Sequence, residues 1–286
     1  MKILLTGATG FTGLHFSNLA KASGHEIVAL QANLNDAPAL EVEVSQTSPD
    51  AVLHLAGKSF VVSNDDLPYY QVHAIGTVNL LNALSKLAKI PHKVVIASSA
   101  TVYGNYTFER ITEDEPAKPM GHYAVSKLAT EFLALNFSDR LPIVIARPFT
   151  YTGPGQKNQF VIPKIVEHFA KRLPYIELGN LNVEREFNDV RMICAAYLQL
   201  LYDGRNGEIY NLCSGQSHTL QSAIQLLTNL TGYFIEIRVN PAFVRKNEVH
   251  RMSGNPSKIN SLFLAHNAVL KQYSLKATLE EMLKAS

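Results

Sequence analysis

Through the first half of the chain, short uninterrupted apolar runs alternate with longer segments whose apolar positions recur at helical spacing. Residues 2–6 form an apolar run closed by Gly7. Residues 14–23 place Leu14, Phe16, Leu19 and Ala20 on one stripe and stop at Gly24, which predicts a helix. Strands are predicted at residues 26–30, 51–56 (apolar except for His54), 93–98 and 142–146. Helices are predicted at 36–47, 66–89 and 122–136.

Apolar runs without alternation suit strands covered on both faces. Their regular exchange with helices predicts an α/β fold, a Rossmann-type doubly wound parallel sheet with right-handed crossovers. Between residues 30 and 36 there is no room for a further strand and helix, so the unit that often follows the second strand is short or missing. After Arg147 the rhythm changes. A turn cluster, Thr152-Gly153-Pro154-Gly155, precedes strands at 208–211 and 234–239 and helices at 219–231 and 278–284. The expected organisation is a dinucleotide-binding domain at 1–150, with 188–215 returning to it, and a smaller interleaved α/β substrate lobe at 151–286.

Composition narrows this picture without adding chemistry. With 47% apolar residues in 286, the chain can form a large core, and disorder is excluded as its main state. A net charge of +2 gives no reason to expect nucleic acid or a polybasic membrane contact. Two cysteines, Cys194 and Cys213, are too few for a disulfide scaffold or a cysteine-rich zinc site and read as buried thiols; no metal is expected. The apolar start at Met1 is broken too early, by Thr6-Gly7, for a signal peptide. A cytoplasmic protein is expected.

Candidate chemistry begins at Gly7-Ala8-Thr9-Gly10-Phe11-Thr12-Gly13, between the first strand and the first helix. Residues without Cβ let a backbone turn tightly and approach a pyrophosphate at a helix N-terminus. The acid that normally ends the second strand and binds ribose is absent, since Leu30 is followed by Gln31, Ala32 and Asn33. No basic residue stands there for a 2′-phosphate either, which leaves NAD and NADP both open. Tyr123 and Lys127 lie four apart on one helix face, where an ammonium beside a phenol is expected to lower the tyrosine pKa and equip it for proton transfer. Ser99 follows the fourth strand, at the sheet edge where open α/β folds place ligands.

With these motifs the chain resembles the extended short-chain dehydrogenase/reductase family, in the branch acting on nucleotide sugars. The likeness extends to His54-Leu55-Ala56-Gly57, to Gly76-Thr77-Val78-Asn79, to Arg147-Pro148-Phe149, and in the second lobe to Gly153-Pro154-Gly155-Gln156, Arg185-Glu186-Phe187-Asn188-Asp189 and Tyr210-Asn211-Leu212-Cys213-Ser214-Gly215. Within the branch it is most similar to GDP-6-deoxy-4-keto-mannose reductases, and at residues 31–36 to dTDP-4-dehydrorhamnose reductases. The resemblance implies a catalytic set of Ser99, Tyr123 and Lys127. It implies an NAD or NADP site at Gly7, Thr9, Gly10, Phe11, Thr12, Gly13, Asn33, Leu34, Leu55, Ala56, Gly57 and Pro148, shared with Tyr123 and Lys127. It implies nucleotide-sugar contacts from Lys58, Ser99, Thr150, Phe160, Lys164, Arg185, Arg245 and Glu248. It also implies a homodimer in which the helices at 66–89 and 122–136 form a four-helix bundle, and a place in deoxysugar biosynthesis for lipopolysaccharide or O-antigen.

Three positions depart from the family pattern: His73 and Thr150 replace asparagines, and Met192 replaces an aspartate. His73 reads as structural. Dehydratases of the family carry an acid–base pair just after the catalytic serine or threonine; here Ala100 and Thr101 occupy those places and cannot shuttle a proton. The expectation is therefore an NAD(P)H-dependent C4 ketoreductase of a nucleotide-linked 4-keto-6-deoxy sugar. A C4 epimerase that retains NAD, and a non-catalytic dinucleotide sensor on the same fold, are the alternatives.

Overall fold

A computed structural model describes the chain except residues 60–64, 107–108 and 244–248. The first half runs β1 (Lys2–Thr6), α1 (Phe11–Ala22), β2 (Glu26–Ala29), α2 (Ala37–Thr47) and β3 (Ala51–His54). Next comes one helical stretch built from α3 (Leu67–Tyr70), a π turn (Gln71–Ile75) and α4 (Gly76–Ser85). Then follow β4 (Lys93–Ala97), a 3₁₀ turn (Ala100–Tyr103), α5 (His122–Leu135) and β5 (Ile143–Pro148). The second half contains β6 (Tyr151–Thr152), α6 (Val161–Ala170), β7 (Tyr175–Leu178), β8 (Glu184–Glu186), β9 (Asn188–Asp189), α7 (Val190–Asp203) and β10 (Ile209–Leu212). It ends with β11 (Ser217–Thr219), α8 (Leu220–Thr231), β12 (Glu236–Val239), β13 (Arg251–Met252), α9 (Ser257–Leu264) and α10 (Leu275–Lys284).

Six parallel strands form the main sheet in the order β10-β5-β4-β3-β1-β2. Alternate residues of each strand feed opposite faces: Ile3 and Leu5 pack toward α1 and α7, Leu4 and Val52 toward α2 and α4. Each fully buried aliphatic side chain contributes roughly 1.5–3 kcal/mol. β1 is flanked by β2 and β3, so successive crossovers leave it in opposite directions and open a crevice at its C-terminal end. Among the described residues no strand lies beyond β2 on the outer edge of the sheet, where the expected shortage of a strand–helix unit falls.

β10 pairs with β5, and α7 packs on β3, β4 and β5, so chain from the second half completes the first core. α9 joins them through Ile259 and Phe263, although residues 257–264 were expected in the substrate lobe. That lobe has its own core, in which Ile165 and Phe169 of α6, Leu227 of α8 and Leu279 of α10 meet Ile176 and Leu178 of β7.

The hydrophobic pattern misses α6, α7 and α9. In α7 the reason is physical: Val190, Met192, Ile193, Cys194, Ala196, Tyr197, Leu200 and Leu201 are buried, and the outer face is itself largely apolar at Ala195, Leu198 and Tyr202, so little polar stripe marks a helical period. Met192, in place of the family's aspartate, is part of this core. The helix expected at 66–89 ends at Ser85 and is widened by the π turn around His73. Both cysteines are free and buried, as expected.

Candidate active site

The loop after β1 closes with a hydrogen bond from Gly10 N–H to Gly7 O (3.0 Å), and Gly7 has φ +70°. A Cβ on Gly7 would come within 2.9 Å of Ala56 N, and one on Gly13 within 2.2 Å of Gly7 O. These two glycines let the loop lie against β3 and against its own helix. On the protein side, a Cβ on Gly10 would meet only Gly7 O at 3.2 Å, so what Gly10 keeps clear is the adjoining cavity. The first turn of α1 carries no acidic residue and no side-chain cap. Its free N–H groups and positive dipole end therefore face a cavity of about 460 Å³, which suits a pyrophosphate.

Ser99, Tyr123 and Lys127 line the same cavity. Ser99 caps the 3₁₀ turn that follows β4, accepting from Thr101 N–H (3.2 Å) and from Thr101 Oγ1 (2.9 Å). Its own hydroxyl proton is thereby left free for a partner in the cavity that Tyr123 also lines. Lys127 donates to Ala97 O at the end of β4 (2.9 Å). Burial lowers the Lys127 pKa to about 8, against the nearby Glu131 carboxylate, which raises it. The expected lowering of the Tyr123 pKa by Lys127 is not what the geometry gives. Burial raises that pKa, the neighbouring Ser99 hydroxyl lowers it in part, and the Lys127 ammonium is engaged on the β4 carbonyl. The phenol is therefore protonated at neutral pH, the form a proton donor needs.

Two buried histidines brace the loop after β3. Ala56 N–H donates to Thr6 Oγ1 (2.9 Å), which donates to His54 Nδ1 (2.7 Å). His54 Nε2–H then donates to Thr77 Oγ1 (2.9 Å), and Thr77 donates to the His73 carbonyl. His73 Nε2 accepts from Lys58 N–H (3.0 Å), so Nδ1–H donates to Ser126 Oγ (2.8 Å), which donates to Tyr123 O (2.8 Å). Burial, with Lys127 nearby, holds both rings neutral, His54 near 3 and His73 near 2. Gly57 is thus gripped on both sides by imidazole-anchored neighbours, and a Cβ there would stand 3.0 Å from His73 Nε2 and 3.3 Å from Lys127 Nζ. The histidine expected to be structural joins the β3 loop to the helix that carries Tyr123.

The cavity also gathers Phe11, Thr12, Leu55, Lys58, Pro148, Thr150 and Phe160 from the expected set. Thr9, Asn33, Leu34 and Ala56 do not line it. Asn33 Oδ1 accepts from Asn35 N–H (3.0 Å), Leu34 packs against Gly76, and the Ala56 amide serves Thr6. Lys164 also points elsewhere: its Nζ donates to Glu177 O (2.8 Å) and lies over the Phe243 ring. The Arg185 guanidinium donates to the carbonyls of Glu184 (2.8 Å), His250 (3.3 Å) and Val249. Arg245 and Glu248 lie outside the described residues.

Sequence reasoning missed Tyr151, Tyr197, Phe187 and Met252, which complete the wall. Tyr151 stacks on Phe11 (centroids 6.1 Å apart) and hydrogen-bonds Thr12 Oγ1 (2.7 Å), tying the phosphate loop to the chain beyond β5. The rule that ligands gather past strand C-termini could have found it. Glu186, wholly buried, ties together the segments that carry Phe187 and Met252. Its carboxylate accepts from Gly254 N–H (2.7 Å), Ser214 N–H (2.8 Å) and Asn188 Nδ2 (2.9 Å), while burial raises its pKa.

A doubly wound parallel sheet, a glycine loop opening a bare helix N-terminus, and a serine, tyrosine and lysine converging on one cavity define an NAD(P)-dependent short-chain dehydrogenase/reductase. The family model for GDP-mannose 4,6 dehydratase matches residues 17–267. GDP-6-deoxy-D-talose 4-dehydrogenase of Aggregatibacter actinomycetemcomitans is 32% identical, over 99% of this chain and 97% of its own. GDP-6-deoxy-D-mannose reductase of Pseudomonas aeruginosa is 33% identical, over 98% and 96%. The structure of Pseudomonas aeruginosa RMD complexed with NADPH superimposes with a TM-score of 0.88 at 31% identity, covering 99% of this chain and 98% of that one. The chain belongs to the GDP-mannose 4,6-dehydratase family, within the nucleotide-sugar branch of the short-chain dehydrogenases/reductases.

Proposed function

We propose that this protein is a C4 ketoreductase of a GDP-linked 4-keto-6-deoxy sugar. The observation that carries the reading is a contrast at the end of β4. Ser99 and Tyr123 line one cavity, whereas the two residues after Ser99 hold no acid–base pair: Ala100 is buried, and the Thr101 hydroxyl is committed to Ser99. Reduction needs only a hydride and a proton, whereas loss of water across C5–C6 needs a second proton-transfer pair. The relatives that match over nearly their whole length are named for GDP-6-deoxy sugars, which supports the guanine nucleotide.

When bound, the reduced nicotinamide supplies the hydride to sugar C4. Ser99 orients the C4 carbonyl oxygen, and Tyr123 gives its hydroxyl proton to that oxygen as the alcohol forms. Lys127 holds positive charge beside the site and steadies the nicotinamide ribose. Thr150 and Phe160, which line the same cavity, are the residues assigned to contact the sugar. Purified protein is expected to oxidise NAD(P)H with a GDP-4-keto-6-deoxyhexose, and GDP to raise its melting temperature more than UDP or dTDP, because selective binding stabilises the native state. No turnover with any 4-keto-6-deoxy nucleotide sugar would sink the reading. Tightly retained NAD with turnover needing no added dinucleotide would convert it to C4 epimerase.

The helices also support a homodimer. Leu67 (59% exposed) and Ile75 (53%) on the α3–α4 stretch, with Val125 (38%) and Phe132 (64%) on α5, give neighbouring helices an apolar outer face. A four-helix bundle with a second copy covers such a face. Light scattering at micromolar concentration is expected to give twice the 31.6 kDa chain mass; monomer alone refutes the bundle. Among the described residues no helix is long and apolar enough to cross a membrane. Two free thiols and a dinucleotide cofactor suit the reducing cytoplasm.

A further inference from the structure

The strand-end acid missing from the sequence is replaced in space. Glu43, in the middle of α2, turns its carboxylate onto the two backbone amides just past β2. Oε1 accepts from Gln31 N–H at 2.8 Å and Oε2 from Ala32 N–H at 2.6 Å. In this fold the C-terminal end of the second strand is where the adenosine ribose of a dinucleotide is read: a carboxylate there binds the ribose hydroxyls, and a basic group there accepts a 2′-phosphate. Among the described residues no cation is paired with Glu43, whereas Glu41 and Asp50 have Lys86 and Lys89. From Glu26 to Gly57 the chain contains no lysine or arginine at all, and five carboxylates, Glu26, Asp36, Glu41, Glu43 and Asp50.

We propose that Glu43 makes this protein select NADH over NADPH. The inference rests on the dinucleotide site described above. Each carboxylate oxygen has one acceptor position engaged by an amide, which leaves acceptor capacity for a ribose hydroxyl. A 2′-phosphate meets the opposite situation. The two amides that could donate to it are already taken, the group that takes them has the same sign of charge, and no guanidinium or ammonium on this stretch compensates. Selection thus works by exclusion as much as by attraction. The structure of the Pseudomonas relative is complexed with NADPH, so the preference is argued from these residues and is not inherited from the likeness.

Fluorescence titration of the whole protein with NADH and with NADPH tests this directly. NADH is expected to bind about tenfold more tightly or better, a difference of about 1.4 kcal/mol. In Glu43→Gln, which keeps the shape and removes the charge, the ratio is expected to collapse toward one, chiefly through tighter NADPH binding. Glu43→Ala provides the same readout should the glutamine variant fold poorly. Wild-type protein that binds NADPH as tightly as NADH overturns the proposal, as does a ratio left unchanged in both variants. Failure to bind either dinucleotide would overturn the site itself and Glu43's role with it, a result distinct from the wrong preference.

Discussion

Tyr123→Phe is expected to lower kcat for carbonyl reduction by about 10²–10⁴-fold while leaving dinucleotide affinity and melting temperature close to wild type. The variant removes one hydroxyl from the cavity and keeps the ring. That ring is wedged edge-on against Tyr69 and His73, with centroids 5.7 and 5.6 Å away, so phenylalanine holds the same packing. Loss of rate with intact binding places the hydroxyl in the proton-transfer step. A variant that retains wild-type kcat shows that another group protonates the alkoxide. The protonation state points the same way. Burial raises the Tyr123 pKa, so the phenol carries its proton throughout the neutral range, which favours donation in the reducing direction.

Much of this was legible in the sequence because it depends on local pattern. Strands buried on both faces announce themselves as apolar runs, and the glycine loop and the Tyr123–Lys127 pair follow from spacing. What was not legible depends on folding distance. Glu43 stands twelve positions from Gln31 and becomes a strand-end acid only when α2 packs beside β2. The partners of His73 are set by a π turn, whose extra residue no periodicity argument anticipates, and it brings the ring between Lys58 and Ser126. Tyr197 was missed because the outer face of its helix is itself largely apolar, at Ala195, Leu198 and Tyr202, and so marks little polar stripe. The expected Lys127–Tyr123 coupling failed for a related reason. Four residues on a helix put two side chains on one face, but the end of β4 offers the ammonium the Ala97 carbonyl.

The largest expected loss of stability lies beneath the site, in Arg147→Met. Arg147 and Glu131 are almost wholly buried and meet in a two-pronged pair, Nε to Oε1 at 2.9 Å and a terminal nitrogen to Oε2 at 2.6 Å. Ser98 donates to the same carboxylate, and the guanidinium lies over the Tyr103 ring, 4.7 Å from its centroid. Removing the arginine leaves a buried carboxylate with one hydroxyl donor, which costs about 3–5 kcal/mol. For a chain of this size that is a fall in melting temperature of the order of 10 °C. Since an unpaired charge is the cause, Glu131→Leu combined with Arg147→Met is expected to recover most of the loss. A single variant as stable as wild type would show that the pair is not held as described. The pair also reaches the chemistry through Lys127, one helical turn before Glu131. The Glu131 carboxylate raises the Lys127 pKa against burial, which leaves it at about 8. Lysine is charged below its pKa, so kcat/KM for reduction is expected to fall as pH rises through about 8, when Lys127 loses its proton. Taking away Glu131 lowers that pKa further and moves the alkaline limb to lower pH. The double variant is therefore expected to regain its melting temperature without regaining the wild-type pH profile, which separates the structural work of the pair from its electrostatic work on the active lysine.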